Sequence, residues 1–258
     1  MAQDNRIMNR KIKRTVLNQI GSIYLNKVYR NHIAVLRNSA FNQERLFKSF
    51  QKQLVGTVLA DDLNLGQYST FKEFVKNVSP RTYDFYEPYV KRICQGEPNV
   101  MYKDATEYFF VTSGTSGITG KIIPCNSMLK TQIIQFQKKF LSAIFPECAG
   151  VKIATDRFSY GTRTQAERIN GIPKDYISGL WPTLVPHALK EFVVPSPETL
   201  GESCWETKVN RIVEEVRNRD IRAISGLPVY LLHVLKGVVE KLDIANLREI
   251  WPHLELCV

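Results

Sequence analysis

A ten-residue segment, Thr112 to Lys121, reads TSGTSGITGK and holds mostly glycine and hydroxyl-bearing residues before it ends in a cation. Glycine lets a backbone approach a ligand closely, and successive N–H groups in such a loop point into one concavity that suits an anion. Serine and threonine hydroxyls add hydrogen-bonding groups, and lysine adds a mobile charge. The segment predicts a phosphate-binding loop, with a polar hairpin turn as the alternative that composition leaves open.

Two standard phosphate motifs do not fit this loop. The Walker pattern GxxxxGK[ST] needs Ser or Thr after the lysine, whereas Ile122 follows Lys121 here, and the span from Gly114 to Gly120 is one residue too long. The pattern GxGxxG is also absent from the loop. Any phosphate contact therefore rests on a different arrangement of the same residue types.

Apolar runs on both sides predict the elements that hold the loop. Tyr108–Val111 and Lys121–Ile123 have the composition of short strands, which makes the loop the turn of a hairpin. The spacing of Leu129–Phe145 predicts a helix directly after the hairpin. Its predicted apolar face carries Ile133, Phe136, Phe140 and Ile144.

The rest of the chain alternates helical and strand-like patterns. Further helices are predicted at Asn42–Val58, Tyr68–Val78, Ser79–Cys94, Lys208–Arg219 and Pro228–Leu242. Strands are predicted at Val151–Ala154, Ile221–Ser225 and His253–Val258, and Asp156–Gly179 is rich in loop-forming residues. This rhythm predicts an α/β fold with parallel strand pairing.

Positive charge is concentrated at the start of the chain. Residues 1–50 hold ten Lys and Arg against Asp4 and Glu44, whereas the other 208 residues are almost balanced. Val16, Ile20 and Ile23 recur at helical spacing with Val28, so residues 1–40 are interpreted as a basic amphipathic helical segment whose charges face solvent. RNA binding, an anionic membrane and organelle targeting remain as alternatives, and no nucleic-acid partner is expected.

Cysteine usage and hydropathy indicate a cytoplasmic protein. The five cysteines form no CxxC pair and lie at no metal-ligand spacing, which predicts free buried thiols. No window approaches the roughly 18 apolar residues of a membrane helix, and the basic start is not followed by a signal-peptide core.

The order of residues in the loop, TSGTSG followed by Lys121, resembles the phosphate loop of acyl-adenylate-forming enzymes. The position of Lys121, followed after two apolar residues by Pro124, is most similar to the Gretchen Hagen auxin-responsive family of acyl-acid amido synthetases. The chain departs from that family at Ser116, which replaces a threonine, at Gly117, which replaces a glutamine, and at Gly120, which replaces a proline and is expected to loosen the loop.

Segments outside the loop extend the resemblance over roughly residues 40–258. Phe71–Val100 and Ile224–Leu256 are similar to the family segments before and after the loop, including SGLP and WPHLEL. The resemblance implies that residues 41–258 form part of the large N-terminal domain of an adenylate-forming enzyme, with mixed sheets flanked by helices. An end at Val258, inside an apolar strand, is interpreted as the end of an incomplete domain.

The resemblance also implies an activity: a carboxylic acid reacts with ATP to give an acyl adenylate, and an amino acid amine then takes the acyl group to form an amide. The loop at 112–121 would hold the phosphates of ATP, with Mg²⁺ expected alongside. The residues implied in this contact are Thr112, Ser113, Gly114, Thr115, Ser116, Gly117 and Lys121. Catalytic residues are expected beyond Val258, so this chain alone is expected to be inactive or impaired.

Two other interpretations of the chain stay open. A non-catalytic truncated paralogue would bind a nucleotide or partner without turnover, and an RNA-binding protein would use the basic N-terminal segment. Several other residues are candidates for substrate contacts, although ordinary solvated or hydrogen-bonded side chains are the favoured interpretation of them: Gln132, Gln135, Arg157, Arg163, Arg168, His187 and His233.

Overall fold

The computed structural model describes the backbone of residues 2–112, 120–161 and 167–258, and the side chains of 8–112, 120–161, 167–179 and 184–258. The fold is mixed α/β, as the sequence predicts. Within these ranges no helix is long and apolar enough to cross a membrane. The chain divides into two compact units, the first of Met1–Tyr29, Gln137–Gln165 and Ser178–Val258, and the second of Arg30–Phe136 and Ala166–Ile177.

Helices make up most of the described chain. They are α1 (Ala2–Arg37), α2 (Ser39–Leu54), α3 (Val58–Asp62), α4 (Phe71–Asn77), α5 (Tyr83–Cys94), α6 (Ser127–Ile144), α7 (Ile177–Leu184), α8 (Pro197–Leu200), α9 (Trp205–Val216) and α10 (Pro228–Leu242). The predicted helices at 42–58, 68–78, 79–94, 129–145, 208–219 and 228–242 are confirmed as α2, α4, α5, α6, α9 and α10.

The first unit contains a parallel sheet. Its strands are β3 (Arg157–Tyr160), β6 (Val193–Val194), β7 (Ala223–Gly226) and β8 (Leu256–Cys257), in the order β6-β3-β7-β8. Every neighbouring pair runs parallel, which confirms the predicted pairing. Phe158 and Ile224 pack with the apolar sides of α9 and α10 on one face, and Ala223 packs with Phe145 and Val151 on the other. Successive strand residues point to opposite faces, so this sheet has a core on both sides.

The second unit contains a mixed sheet. Its strands are β1 (Thr106–Val111), β2 (Ile122–Asn126), β4 (Glu167–Ile169) and β5 (Ile172–Tyr176), in the order β2-β1-β5-β4. β1 is antiparallel to β2, which confirms the predicted hairpin, and parallel to β5. Phe109 is fully buried in a cluster with Ile93 of α5 and Val100.

The predicted orientation of the N-terminal helix is wrong. Three of the apolar residues expected in the core, Val16, Ile20 and Ile23, are 46%, 61% and 73% exposed. Two of the arginines expected in solvent, Arg10 and Arg14, instead bind the carboxylate of Asp156 at 2.7 and 2.6 Å. Ionic contacts decide which face packs, because Asp156 is only 3% exposed and its buried carboxylate needs charged partners. The predicted domain boundary at residue 40 stays a prediction.

Three other expectations differ from the structure. Residues 151–154 form a turn and not the predicted strand. Val151 and Ala154 in this segment are almost inaccessible to solvent. The region 156–179, expected to be loop, supplies β3, β4 and β5. On α6, Phe136 and Phe140 of the predicted apolar face are 66% and 38% exposed.

Candidate functional site

The loop begins at the end of a parallel strand pair. Val111, the last residue of β1, lies in register with Tyr176, the last residue of β5. The carboxyl ends of both strands therefore meet at one edge of the sheet, and Thr112 starts the loop there. Ligands of α/β proteins commonly bind at this end of parallel strands.

Thr112 and Lys121 close the base of the hairpin. The Thr112 amide donates to the Lys121 carbonyl at 3.0 Å, and the Lys121 amide donates to the Thr112 hydroxyl oxygen at 3.0 Å. The threonine hydroxyl therefore has a structural role in addition to any ligand contact. The two ends of the predicted phosphate loop are held together by these bonds, so a ligand in the loop would meet a fixed base.

Gly120 allows this close approach. A Cβ at residue 120 would lie 2.2 Å from the Thr112 carbonyl oxygen and 2.6 Å from Cγ1 of Val111. Both distances are shorter than any side chain tolerates. The glycine that departs from the family pattern is therefore required at the hairpin base, for a reason that the sequence did not reveal.

The Lys121 side chain is exposed and lies over an aromatic ring. Its ammonium is 5.4 Å from the centre of the Tyr83 ring, at the start of α5. The face of an aromatic ring attracts a cation, by about 0.5–1 kcal/mol at an exposed site. The ring therefore favours positions of the ammonium near the hairpin base.

The hydroxyl of Tyr83 binds β2, the strand that follows the loop. It donates to the Ile122 carbonyl at 2.9 Å and accepts from the Ile122 amide at 3.2 Å. Burial raises the pKa of Tyr83 above its ordinary value, so the hydroxyl keeps its proton at neutral pH. Tyr83 thus contacts both the charge and the backbone at one end of the loop. Sequence reasoning missed this residue, because the contact joins a helix start to a strand almost forty residues later.

Asp175 is a second residue that the sequence analysis did not single out. It lies near the end of β5 opposite Phe110, and its side chain is only 3% exposed. One of its oxygens accepts from the Tyr176 amide at 2.7 Å. A buried carboxylate therefore lies at the same sheet edge from which the loop departs.

Of the seven predicted phosphate-contacting residues, the structure brings Thr112 and Lys121 together. Ser113, Gly114, Thr115, Ser116 and Gly117 lie outside the described residues, so their contacts stay predictions.

The other described candidate residues have their own local surroundings. Gln132 and Gln135 are exposed on α6, and His187 is exposed. His233 stacks on Trp205 with 4.3 Å between ring centres.

The described arginine candidates bind backbone carbonyls. Arg157 donates to the Ile153 carbonyl at 3.0 Å, and burial lowers its pKa to about 10. Arg168 donates to the Gly171 carbonyl at 2.5 Å, and Arg163 lies outside the described residues.

Cysteines and metal-ligand types form no further site in the described ranges. All five cysteines are free thiols. Cys125 and Cys148 are buried as predicted, whereas Cys204 and Cys257 are exposed. No group of three or more His, Cys, Asp or Glu side chains lies close enough to hold a metal within those ranges.

The fold resembles that of known amido synthetases. AtGH3.15 acyl acid amido synthetase in complex with 2,4-DB superimposes with a TM-score of 0.65 and 19% sequence identity, covering 78% of this chain and 36% of that chain. Another structure, GH3.15 acyl acid amido synthetase, gives a TM-score of 0.64 and 18% identity, covering 81% of this chain and 38% of that chain. The chain thus spans little more than a third of these relatives. A comparison with curated proteins gave no match.

A family model connects the chain to the same group. Residues 29–181 match the GH3 family N-terminal domain, a range that includes the hairpin and its loop. This match confirms the resemblance that the loop and its flanking segments indicate. Because the match takes in more than half of the chain, the protein belongs to the GH3 family.

Proposed function

We propose that this chain is the phosphate-binding part of an ATP-dependent acyl-acid amido synthetase. In that reaction a carboxylate oxygen attacks the α-phosphorus of ATP and pyrophosphate leaves. An amino acid amine then attacks the acyl carbon, AMP leaves, and an amide forms. The support is the family membership together with a glycine- and hydroxyl-rich loop held at the carboxyl end of a parallel strand pair.

In this proposal the loop residues 112–117 and Lys121 bind the β- and γ-phosphates. The backbone amides and hydroxyls of the loop donate to phosphate oxygens, and the Lys121 ammonium offsets the charge of the departing pyrophosphate. The Thr112–Lys121 bonds and the Tyr83 ring limit where that ammonium can lie. Holding the phosphates in place in this way lowers the barrier by positioning.

In this proposal Mg²⁺ is expected to accompany the nucleotide. This ion keeps several waters and commonly binds through substrate phosphates with one or two protein oxygens. The described ranges contain no cluster of three or more metal-ligating side chains. Mg²⁺ would neutralise phosphate charge, and Lys121 would act beside it.

The experiment measures binding and turnover separately on the purified chain. We expect ATP with Mg²⁺ to raise its melting temperature and bind in titration calorimetry. With hydroxylamine present, a panel of carboxylic acids should give little or no acyl hydroxamate, because the chain spans only 36–38% of the solved synthetases.

Each result distinguishes the proposed function from one of its alternatives. Efficient hydroxamate formation would contradict the expected impairment and support a self-sufficient synthetase domain. ATP binding without any turnover, even when the rest of the synthetase is present, would favour the non-catalytic nucleotide-binding alternative. Absence of ATP binding would overturn the proposal.

A further inference from the structure

Helix α1 packs one side against the first unit through polar and close contacts. Arg10 and Arg14 bind Asp156, whose side chain is 3% exposed, and the Ala154 amide donates to Oδ1 of Asn18 at 2.8 Å. One and two turns after Asn18, the same side of α1 carries Gly21 and Leu25. A Cβ at Gly21 would lie 2.3 Å from Cγ2 of Ile153, and Leu25 is buried.

The opposite side of α1 carries a row of exposed apolar residues. We call it the outer stripe: Met8, Ile12, Val16, Ile20 and Ile23. Their exposed fractions lie between 46% and 73%. Spacings of four and three residues place them on one face of the helix, over about four turns. A continuous apolar row on the surface marks an interaction site more often than scattered apolar residues do.

The outer stripe is fixed in this orientation. Rotating α1 to bury it would separate Arg10 and Arg14 from Asp156 and leave a buried carboxylate without its cations. It would also drive larger side chains into the space beside Ile153 that Gly21 leaves free. The contacts on the inner side therefore hold the apolar side chains in solvent.

Beyond Asp4, the charged residues of α1 itself are all basic. No Asp or Glu occurs between residues 5 and 43, whereas Lys11 and Lys27 lie exposed on the same helix. Lys13 pairs with Glu191, and Lys138 lies over the ring of Tyr24 at 5.6 Å. An apolar face with basic residues around it complements a surface that is apolar inside and anionic outside.

We propose that the outer stripe docks this protein on an anionic lipid surface. The aliphatic side chains enter the boundary between headgroups and acyl chains, and Lys11 and Lys27 contact the anionic headgroups. A second copy of this chain fits less well, because two such helices would bring like charges together. Nucleic acid fits less well, because it offers no apolar surface for the isoleucines. The stripe precedes residues 29–181, so the family match does not account for it.

The test measures binding of the full chain to vesicles by sedimentation. One set contains only phosphatidylcholine, and the other contains roughly one part phosphatidylserine to three parts phosphatidylcholine. We expect binding to the anionic set that weakens as salt is added. The variant Ile12→Gln with Ile20→Gln should reduce partitioning at least about tenfold, because it removes apolar area from the contact.

Two further variants separate the contributions. Val229→Gln with Leu232→Gln changes side chains on α10 that are 79% and 58% exposed, and it should alter partitioning less than about twofold. Lys11→Gln with Lys27→Gln should reduce binding to anionic vesicles about 25-fold, at about fivefold per lysine. Circular dichroism melts would show that each variant is folded.

Three outcomes would overturn the proposal. The first is that the wild-type chain does not bind anionic vesicles, and the second is that the α10 variant loses binding as strongly as the stripe variant. The third is a concentration-dependent dimer that the stripe variant abolishes while vesicle binding is unchanged. This last result would assign the stripe to a second copy of the chain.

Discussion

The Lys121 ammonium lies 5.4 Å from the centre of the Tyr83 ring, while the hydroxyl of that tyrosine hydrogen-bonds both backbone groups of Ile122. The two contacts can be separated by substitution. Tyr83→Phe keeps the ring and loses the hydrogen bonds, so we expect about 1–2 kcal/mol lower stability with ATP affinity largely retained. Tyr83→Leu also loses the ring, so ATP affinity should fall a further two- to fivefold or about 0.5–1 kcal/mol.

Titration calorimetry with ATP measures the change in affinity, and urea unfolding measures the change in stability. Equal ATP affinity of the phenylalanine and leucine variants would show that the ring does not influence Lys121 in solution. Equal stability of the phenylalanine variant and the wild type would instead argue against the Ile122 hydrogen bonds.

Gly120→Ala tests the packing at the hairpin base. The added Cβ would meet the Thr112 carbonyl oxygen at 2.2 Å, so the base must shift. We expect a loss of about 1–3 kcal/mol of stability and weaker ATP binding. Gly66→Ala is the matched control, since its nearest contact is 4.0 Å away, and it should melt within a degree or two of the wild type. Equal melting temperatures for the two variants would contradict the geometry of the base.

Asp156→Ala tests the ionic contacts that hold α1. Its carboxylate is 3% exposed and contacts Arg10, Arg14 and Arg219, which are 25% to 36% exposed. Removing a buried partner is costly, but solvent screens the arginines, so we expect a loss of about 2–4 kcal/mol in urea unfolding.

Glu206→Ala supplies the control for that measurement. Glu206 pairs with Lys241 at 3.3 Å, and both side chains are well exposed. An exposed ion pair contributes about 0.5 kcal/mol or less, so this variant should unfold close to the wild type. A similar loss of stability in both variants would show that the Asp156 contacts are as weak as surface pairs.

Cys204 should be the most reactive thiol at neutral pH. It lies exposed at the start of α9, where hydrogen bonds from the Thr207 side chain and backbone lower its pKa. A lowered pKa raises the thiolate fraction at every pH below the ordinary value. Iodoacetamide labelling of Cys204 should therefore begin at lower pH than labelling of an exposed thiol with an ordinary pKa. Cys125 is buried with a pKa raised to about 11 and should stay unlabelled in the folded protein.

Mass spectrometry after timed labelling resolves the individual cysteines. Thr207→Val removes the first of these hydrogen bonds and should move the Cys204 labelling profile to higher pH. An unchanged profile would exclude the threonine hydroxyl as the cause.

Local patterns were enough to predict many elements of the fold. The helix at Pro228–Leu242 was predicted with the bounds that the structure gives, because proline begins it and apolar spacing continues to its end. The hairpin around the loop was also predicted, since two apolar runs flank a glycine-rich turn. The strands at 156–179 were missed although the sequence contains one signal for them. An Asn-Gly pair, here Asn170 and Gly171, is typical of a two-residue hairpin turn. In the structure both residues have the positive φ that such a turn requires.

Contacts between distant residues could not be predicted. The face that α1 buries depends on Asp156, which lies more than 140 residues beyond Arg14. Apolar spacing alone pointed to the wrong face, because it carries no information on where a buried carboxylate will lie. Tyr83 was missed for the same reason, since its ring and hydroxyl meet residues on another element.

ATP binding by Lys121→Ala tests the central claim most directly. The claim is that the loop binds a nucleotide's phosphates and that Lys121 supplies the opposing charge. Lys76→Ala, on the exposed side of α4, removes the same charge away from the loop and serves as the control. In titration calorimetry we expect Lys121→Ala and Thr115→Ala each to weaken ATP binding at least about tenfold, and Lys76→Ala less than about twofold. Wild-type affinity in both loop variants would contradict the account.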